Sequence, residues 1–241
     1  LRLSSLHNAQ LVAAPTAPSS AAVVTAAPRV AVVMCGYLKV EVPDEGRTAR
    51  AHLVDTLRAD LFIAGTFRRG DCGAAPAADD GSCLWRRLRG LEPIVARSLD
   101  VKASLGELNA SLHRSPHYAS IAARFKTAET YAGLTVWGPL RGSETRHTLH
   151  PLMDSARGHR LLERHEAVRS LQYERVVFSR LELRWLAPHP PLALLAPSLL
   201  WVPLGLPRMN DRHVVMRRDH ADVYLGRWTL LLSERLLKTI D

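Results

Sequence analysis

An α/β fold built on a single, mostly parallel sheet flanked by helices is what this sequence predicts. Two short apolar runs, Val30 to Met34 and Ala59 to Gly65, are each stopped by glycine, and a helical period lies between them. Strand, helix and strand in that order make a βαβ unit, and hence parallel strands. A third apolar run, Val176 to Phe178, follows a long amphipathic segment and leads straight into alternating charges. The chain has 241 residues, of which 47% are hydrophobic, which suits one full-sized domain and leaves little room for two.

Residues 12 to 28 are rich in Ala, Pro, Ser and Thr without a helical or strand period, so 1–28 reads as a flexible stem or linker and 29–241 as the folded domain. Val30 to Met34 is the expected central strand, closed by Gly36. Ala51, Leu53, Val54 and Leu57 recur at helical spacing within Thr48 to Arg58, and Ala59 to Gly65 is the second strand. Residues 66 to 84, with Gly70, Gly73, Pro76, Gly81 and an Asp pair, read as a mobile surface loop. Leu84 to Leu99 reads as a helix interrupted by Pro93, and Ile121 to Thr130 as a short helical piece.

Leu149 to Leu171 is the stronger helix. Leu149, Leu152, Met153, Ala156, Leu161, Leu162, His165 and Val168 hold one broad face, with Pro151 in the first turn. It feeds the strand within Tyr173 to Trp185, YERVVFSRLELRW. Beyond a Pro-broken stretch, Leu199 to Leu204 reads as one more short strand and Asp219 to Leu237 as a closing helix.

The formal charge of +9 invites a nucleic-acid reading, yet only four of the 32 basic residues are Lys, and the Arg are scattered without basic runs or interleaved aromatics. A nucleic-acid partner is therefore not expected; the joint dominance of Ala, Leu, Arg and Pro reads as a compositional bias, with an anionic small-molecule substrate as the functional alternative. No run approaches the ~18 apolar residues that would span a bilayer. The chain begins with Leu1 rather than Met, which reads as a fragment or a processed form, with membrane attachment expected only through an anchor outside these residues. Cys35 reads as a small buried hydrophobe, while Cys72 and Cys83 bracket a loop that a disulfide could close; three cysteines so spaced make no zinc site. Asn109-Ala110-Ser111 fits the N-glycosylation pattern of a secretory lumen.

Two polar clusters could carry chemistry. Arg180, Glu182 and Arg184 follow a buried strand, and a period of two points them one way and Leu181 and Leu183 the other. In open α/β sheets ligands sit beyond the carboxyl ends of the strands, where these charges fall. Two guanidiniums keep the carboxylate between them ionised and can grip phosphate oxygens bidentately. A solvent-facing charge ladder would carry the same pattern. The second cluster, Arg208-Met209-Asn210-Asp211-Arg212-His213, follows the next apolar segment and is expected on the same rim. No GxGxxG, GKS or GxSxG pattern is present, which disfavours a dinucleotide-binding site, a P-loop and an α/β-hydrolase. Scattered His residues, among them His150, His159 and His189, show no metal-ligand spacing.

Taken as a set, these motifs resemble a glycosyltransferase-like family of plants, algae and bacteria. Its members open with a strand of the type RIAVCLxGxxR, similar to Arg29 through Lys39 here, and continue with DLFIHTW, similar to Asp60 through Phe67. Their YDWVIRxRxDxxW strand is matched by Tyr173 to Trp185, and their YVP strand and GGLNDR loop by Trp201-Val202-Pro203 and by Arg208 through Arg212. The resemblance spans residues 29 to about 230 in short motifs.

What the resemblance implies is a GT-A-like fold and transfer of a sugar from a nucleotide-sugar donor to a glycan or protein acceptor, in the secretory pathway, at the Golgi lumen. It implies a donor site made of Gly36, Tyr37, Lys39, Arg180, Arg184, Asn210 and Arg212. Glu182 stands at the acidic position that holds the diphosphate through a divalent metal, manganese or magnesium, and Asp211 is the implied base or orienting group toward the acceptor hydroxyl. A non-catalytic nucleotide- or carbohydrate-binding relative is the alternative. The chain departs from the pattern by Glu182 for Asp, by Arg208-Met209 for Gly-Gly, and by Lys39 for the usual Arg.

Overall fold

The computed structural model describes residues 28–37, 45–67, 88, 90–127, 149–204 and 212–238. They form an α/β fold, one five-stranded sheet in the order β3-β2-β1-β4-β5 with helices on its faces. The strands are β1 (Val30–Tyr37), β2 (Asp60–Phe67), β3 (Val95–Asp100), β4 (Arg175–Arg180) and β5 (His213–Arg217). The first four run parallel and β5 pairs antiparallel with β4, a mostly parallel, Rossmann-like sheet.

β1 is the centre because it can afford to be: every residue from Val30 to Gly36 is buried, and Val33 sits in register with Phe62 on one side and Phe178 on the other. A strand covered on both faces needs no polar alternation, which is why its sequence is a continuous apolar run. One face carries Val32, Met34, Leu61, Ile63 and Val177, covered by Leu53 and Val54 of a helical stretch that runs from Glu45–Ala49 through a π-wound Arg50–Val54 to Asp55–Leu57 (together α1). The other face carries Ala31, Val33, Cys35, Phe62 and Phe178, covered by Leu161 and Leu162. Burying each such side chain stabilises the fold by roughly 1.5–3 kcal/mol.

The covering helices on that second face are α2 (Val101–Arg114), α3 (Tyr118–Thr127) and the long α4 (Leu149–Arg169). Asp100 caps α2 by accepting from the Lys102 amide at 2.9 Å, worth about 1 kcal/mol. α4 crosses β1 closely at Gly158, where a Cβ would meet Cys35 Sγ at 2.5 Å and Val33 Cγ1 at 2.6 Å. Only a residue without a side chain lets the helix reach the sheet there.

Several expectations from sequence are corrected. Leu84 to Leu99 is no helix in its described part: Val95–Asp100 is edge strand β3, begun just after Pro93, with polar Arg97 and Ser98 where an edge meets solvent. Val101–Arg114 is a helix that the sequence reading passed over, because only Val101, Ser104, Leu108 and Leu112 mark its buried stripe. Leu199 to Leu204 is no strand; Trp201 makes one isolated bridge, exchanging 2.9 Å bonds with Val215, and flanking prolines prevent a ladder. The closing helix is three short ones, α5 (Arg218–Leu225), α6 (Arg227–Leu232) and α7 (Arg235–Lys238), with Gly226 at the first break. Val168, placed on the apolar face of α4, is 81% exposed. Residues 1–27 of the expected stem, the loop at 68–84, Cys72 and Cys83 lie outside the described residues.

Candidate functional site

The carboxyl ends of β1, β2 and β4 meet over a cavity of about 170 Å³ lined by Gly36, Tyr37, Thr66, His150, Asp154, Arg180 and Glu182. β1 reaches it through Gly36, whose φ of +126° is closed to ordinary side chains. Pairing between β1 and the β4 side continues one residue past β4, where the Leu181 amide donates to the Cys35 carbonyl at 3.0 Å. That bond sinks Leu181 into the core and turns Glu182 back over Gly36, so that Glu182 Oε2 lies 3.4 Å from where a Gly36 Cβ would stand.

Arg180 Nη1 donates to Glu182 Oε1 at 3.2 Å, and the two side chains are 24% and 26% exposed. This is a half-sunk pair at a cavity mouth rather than a solvent-facing ladder. Glu182 Oε2 is buried without a hydrogen-bond partner. A buried carboxylate oxygen lacking a donor is costly, so it is the atom a ligand or cation would satisfy.

Of the second polar cluster, Arg212 and His213 are described, and they reach this rim. The Arg180 amide donates to the Arg212 carbonyl at 2.9 Å, which brings the described end of the 208–213 cluster against β4. Arg184 does not join: β4 stops at Arg180, the period of two ends with it, and Arg184 is exposed outside the cavity lining. Lys39, Asn210 and Asp211 lie outside the described residues, as do Arg208 and Met209.

Sequence reasoning missed the polar floor contributed by β2 and α4. Asp154 Oδ1 accepts from Thr66 Oγ1 at 3.0 Å and from Arg157 Nη1 at 2.7 Å. Arg157 then bonds Ser104 at 2.8 Å and grips Glu107 Oε2 through Nε and Nη2 at 3.1 and 2.8 Å. Burial pushes the Asp154 carboxyl up to about 6, with the Arg157 charge opposing it. A carboxyl titrating near neutrality at a cavity wall is the environment in which proton transfer becomes available. Burial and the Asp154 charge hold the Cys35 thiol far above its ordinary pKa, which makes it an inert packing group. The spacing of His150 and Asp154, four apart beside Pro151 on a helix, was the available signal.

Two of the scattered arginines, Arg157 and Arg218, are tied into buried ion pairs. Arg157, Arg175 and Arg218 are buried, and Arg218 holds Glu166 through Nε at 2.9 Å and Nη2 at 2.8 Å. His159, Glu163 and Asp222 converge as a metal site would, but Asp222 is already ion-paired with Arg218, so the group reads as part of an ion-pair network. Beside the carboxyl end of β4, where His213 is in register with Ser179, His189 Nε2 and His213 Nε2 lie 3.2 Å apart, with Trp185 edge-on to His213. Because His189 Nδ1 bonds the Pro190 carbonyl at 2.7 Å, that nitrogen carries the proton and His213 Nε2 donates to His189 Nε2. Burial and the neighbouring imidazole lower His213 to about 4.

Among the described residues, no helix is long and apolar enough to cross a membrane. No family model matches this chain, and no curated protein matches it either.

Proposed function

We propose that the cavity at the carboxyl edge binds the diphosphate of a nucleotide-sugar donor, and that the protein is a glycosyltransferase acting on a glycan or protein acceptor. The observation that carries this reading is Glu182 Oε2, a buried acceptor without a donor, poised over the positive-φ turn at Gly36 and beside Arg180. Departure of a diphosphate concentrates negative charge that cations must offset. Arg180 supplies one such cation directly. A divalent metal fits the remaining position, since Glu182 Oε2 is a hard oxygen with no competing hydrogen bond; manganese or magnesium held there would supply the rest of the charge. Gly36 lets the donor approach the backbone of β1 without meeting a side chain. Asp154 anchors Thr66 and Arg157 beneath the site, and Asp211 is the proposed base toward the acceptor hydroxyl.

The small cavity, with one pairing-free carboxylate oxygen, also suits a relative that binds a nucleotide or carbohydrate without turning it over. Calorimetry with a panel of nucleotide sugars, with and without manganese, separates the two. Transfer or hydrolysis supports the enzyme; binding without turnover selects the relative; absence of binding to every donor overturns both. Glu182→Ala is expected to abolish donor turnover while the thermal transition persists, and full activity in that variant would overturn the site assignment. A secretory, Golgi location belongs to the same proposal, supported by Asn109, exposed on α2 within its glycosylation pattern.

A further inference from the structure

A second, larger cavity opens at the amino end of the sheet, away from the candidate donor site. It encloses about 1060 Å³ between the start of β1, the start of β4, the end of α1 and the segment around the 3-10 turn Leu192–Leu194. Leu57, Leu192, Leu195, Pro191 and Pro197 give it apolar walls. Arg175, the first residue of β4, lines it while only 6% exposed.

Arg175 is held by one bond, from Nη1 to the Leu195 carbonyl at 3.0 Å. Its Nε and Nη2 are buried and have no hydrogen-bond partner. Those two nitrogens form the flat edge with which a guanidinium grips an acid bidentately. Arg218 uses that same edge on Glu166 in this protein. Arg175 has the geometry without the acid, and burial lowers its pKa with no carboxylate to compensate.

The charges around the cavity favour an anion. Arg29, Arg58, Arg217 and Arg218 line it with Arg175, against Glu174 and Asp219. Asp219 is taken by Arg217, whose Nε donates to it at 2.7 Å, and Arg218 is taken by Glu166. Residues 1–27, which precede the cavity wall at Pro28, contain no Asp or Glu that could serve as the missing acid.

We propose that this cavity is a binding site for an amphiphilic anion, an acidic head group on an apolar body, with the head held by the Nε and Nη2 edge of Arg175 and the body against Leu57, Leu192 and Leu195. The acid could be a carboxylate or a phosphate monoester, which share this bidentate recognition.

The test is calorimetric titration of the full chain with octanoate, octyl phosphate, octanol and inorganic phosphate. At least one of the octyl acids is expected to bind, and octanol to bind about tenfold or more weakly because it cannot engage the guanidinium edge. The tighter of the two acids assigns the head group, and inorganic phosphate should bind more weakly than octyl phosphate because it leaves the apolar wall unused. Arg175→Gln should cost the acid about tenfold in affinity and leave octanol unchanged. Equal binding of acid and alcohol, absence of binding by either octyl acid, or an Arg175→Gln variant with unaltered acid affinity overturns the proposal. Should Arg175→Gln fail to fold, the comparison of acid with alcohol on the wild-type chain decides by itself, and Leu57→Trp, which fills the apolar wall, should weaken the acid in parallel.

Discussion

Glu182 and Gly36, distant in sequence, meet at the carboxyl edge of the sheet: Glu182 Oε2 lies 3.4 Å from the position a Gly36 Cβ would occupy, and Gly36 holds a φ of +126°. The turn is open only to glycine, and the space above it belongs to the carboxylate. Gly36→Ala strains the backbone at this positive φ and sets its methyl in van der Waals contact with Glu182. A loss of roughly 1–3 kcal/mol in urea unfolding is expected, with loss of any nucleotide-sugar thermal shift. A variant as stable as the wild type with its ligand response intact would show that the turn is not constrained as described.

A buried carboxyl and a half-buried imidazole pull stability in opposite directions over one pH window. Asp154 has a folded pKa of about 6, above its ordinary 3.8, so its contribution is fully present below pH 3.8 and is lost as pH rises through 6. His213 has a folded pKa of about 4, below its ordinary 6.5, so its contribution is fully present above pH 6.5 and is lost as pH falls through 4. Each shift corresponds to on the order of 3 kcal/mol. Relative to wild type, Asp154→Asn should therefore gain stability as pH rises from 4 to 7, and His213→Phe should gain it as pH falls over the same range. Urea midpoints across that range measure both; parallel profiles for wild type and variants would remove the assignment.

Gly158 is the contact point of α4 with β1, and a methyl group there would press on Cys35 Sγ and Val33 Cγ1. Alanine is the better helix former by about 1 kcal/mol, yet overpacking against a rigid sheet outweighs that gain. Gly158→Ala should destabilise by roughly 1–3 kcal/mol, and Cys35→Ala should recover part of the loss in the double variant. Strictly additive effects in thermal melts would mean the two side chains do not share that space.

The sheet was legible where burial wrote it into the chain. β1, β2 and β4 are apolar runs because strands covered on both faces have no solvent side to mark, and α4 announced itself by its long stripe and by feeding β4. Edge strand β3 was mistaken for helix because an edge carries Arg97 and Ser98 as readily as a helix surface does. α2 stayed hidden because half of its buried stripe is Ser104 and Val101, residues with weak helical signal.

Sequence by itself determined the alternation of strands with helices and the parallel sense of the central strands, and it put forward Glu182, a charge directly after a buried strand, while leaving a surface ladder open. Tertiary structure decided what surrounds that carboxylate. Gly36, Thr66, Asp154 and Arg180 come from four separate elements, and no local period links them. It also separated Arg184 from Arg180, because the strand ends before the alternation does, and set Arg175 with a bare guanidinium edge at the opposite end of the fold. Which polar atoms find partners depends on chain segments meeting across the sheet, a long-range outcome that spacing along the chain does not encode.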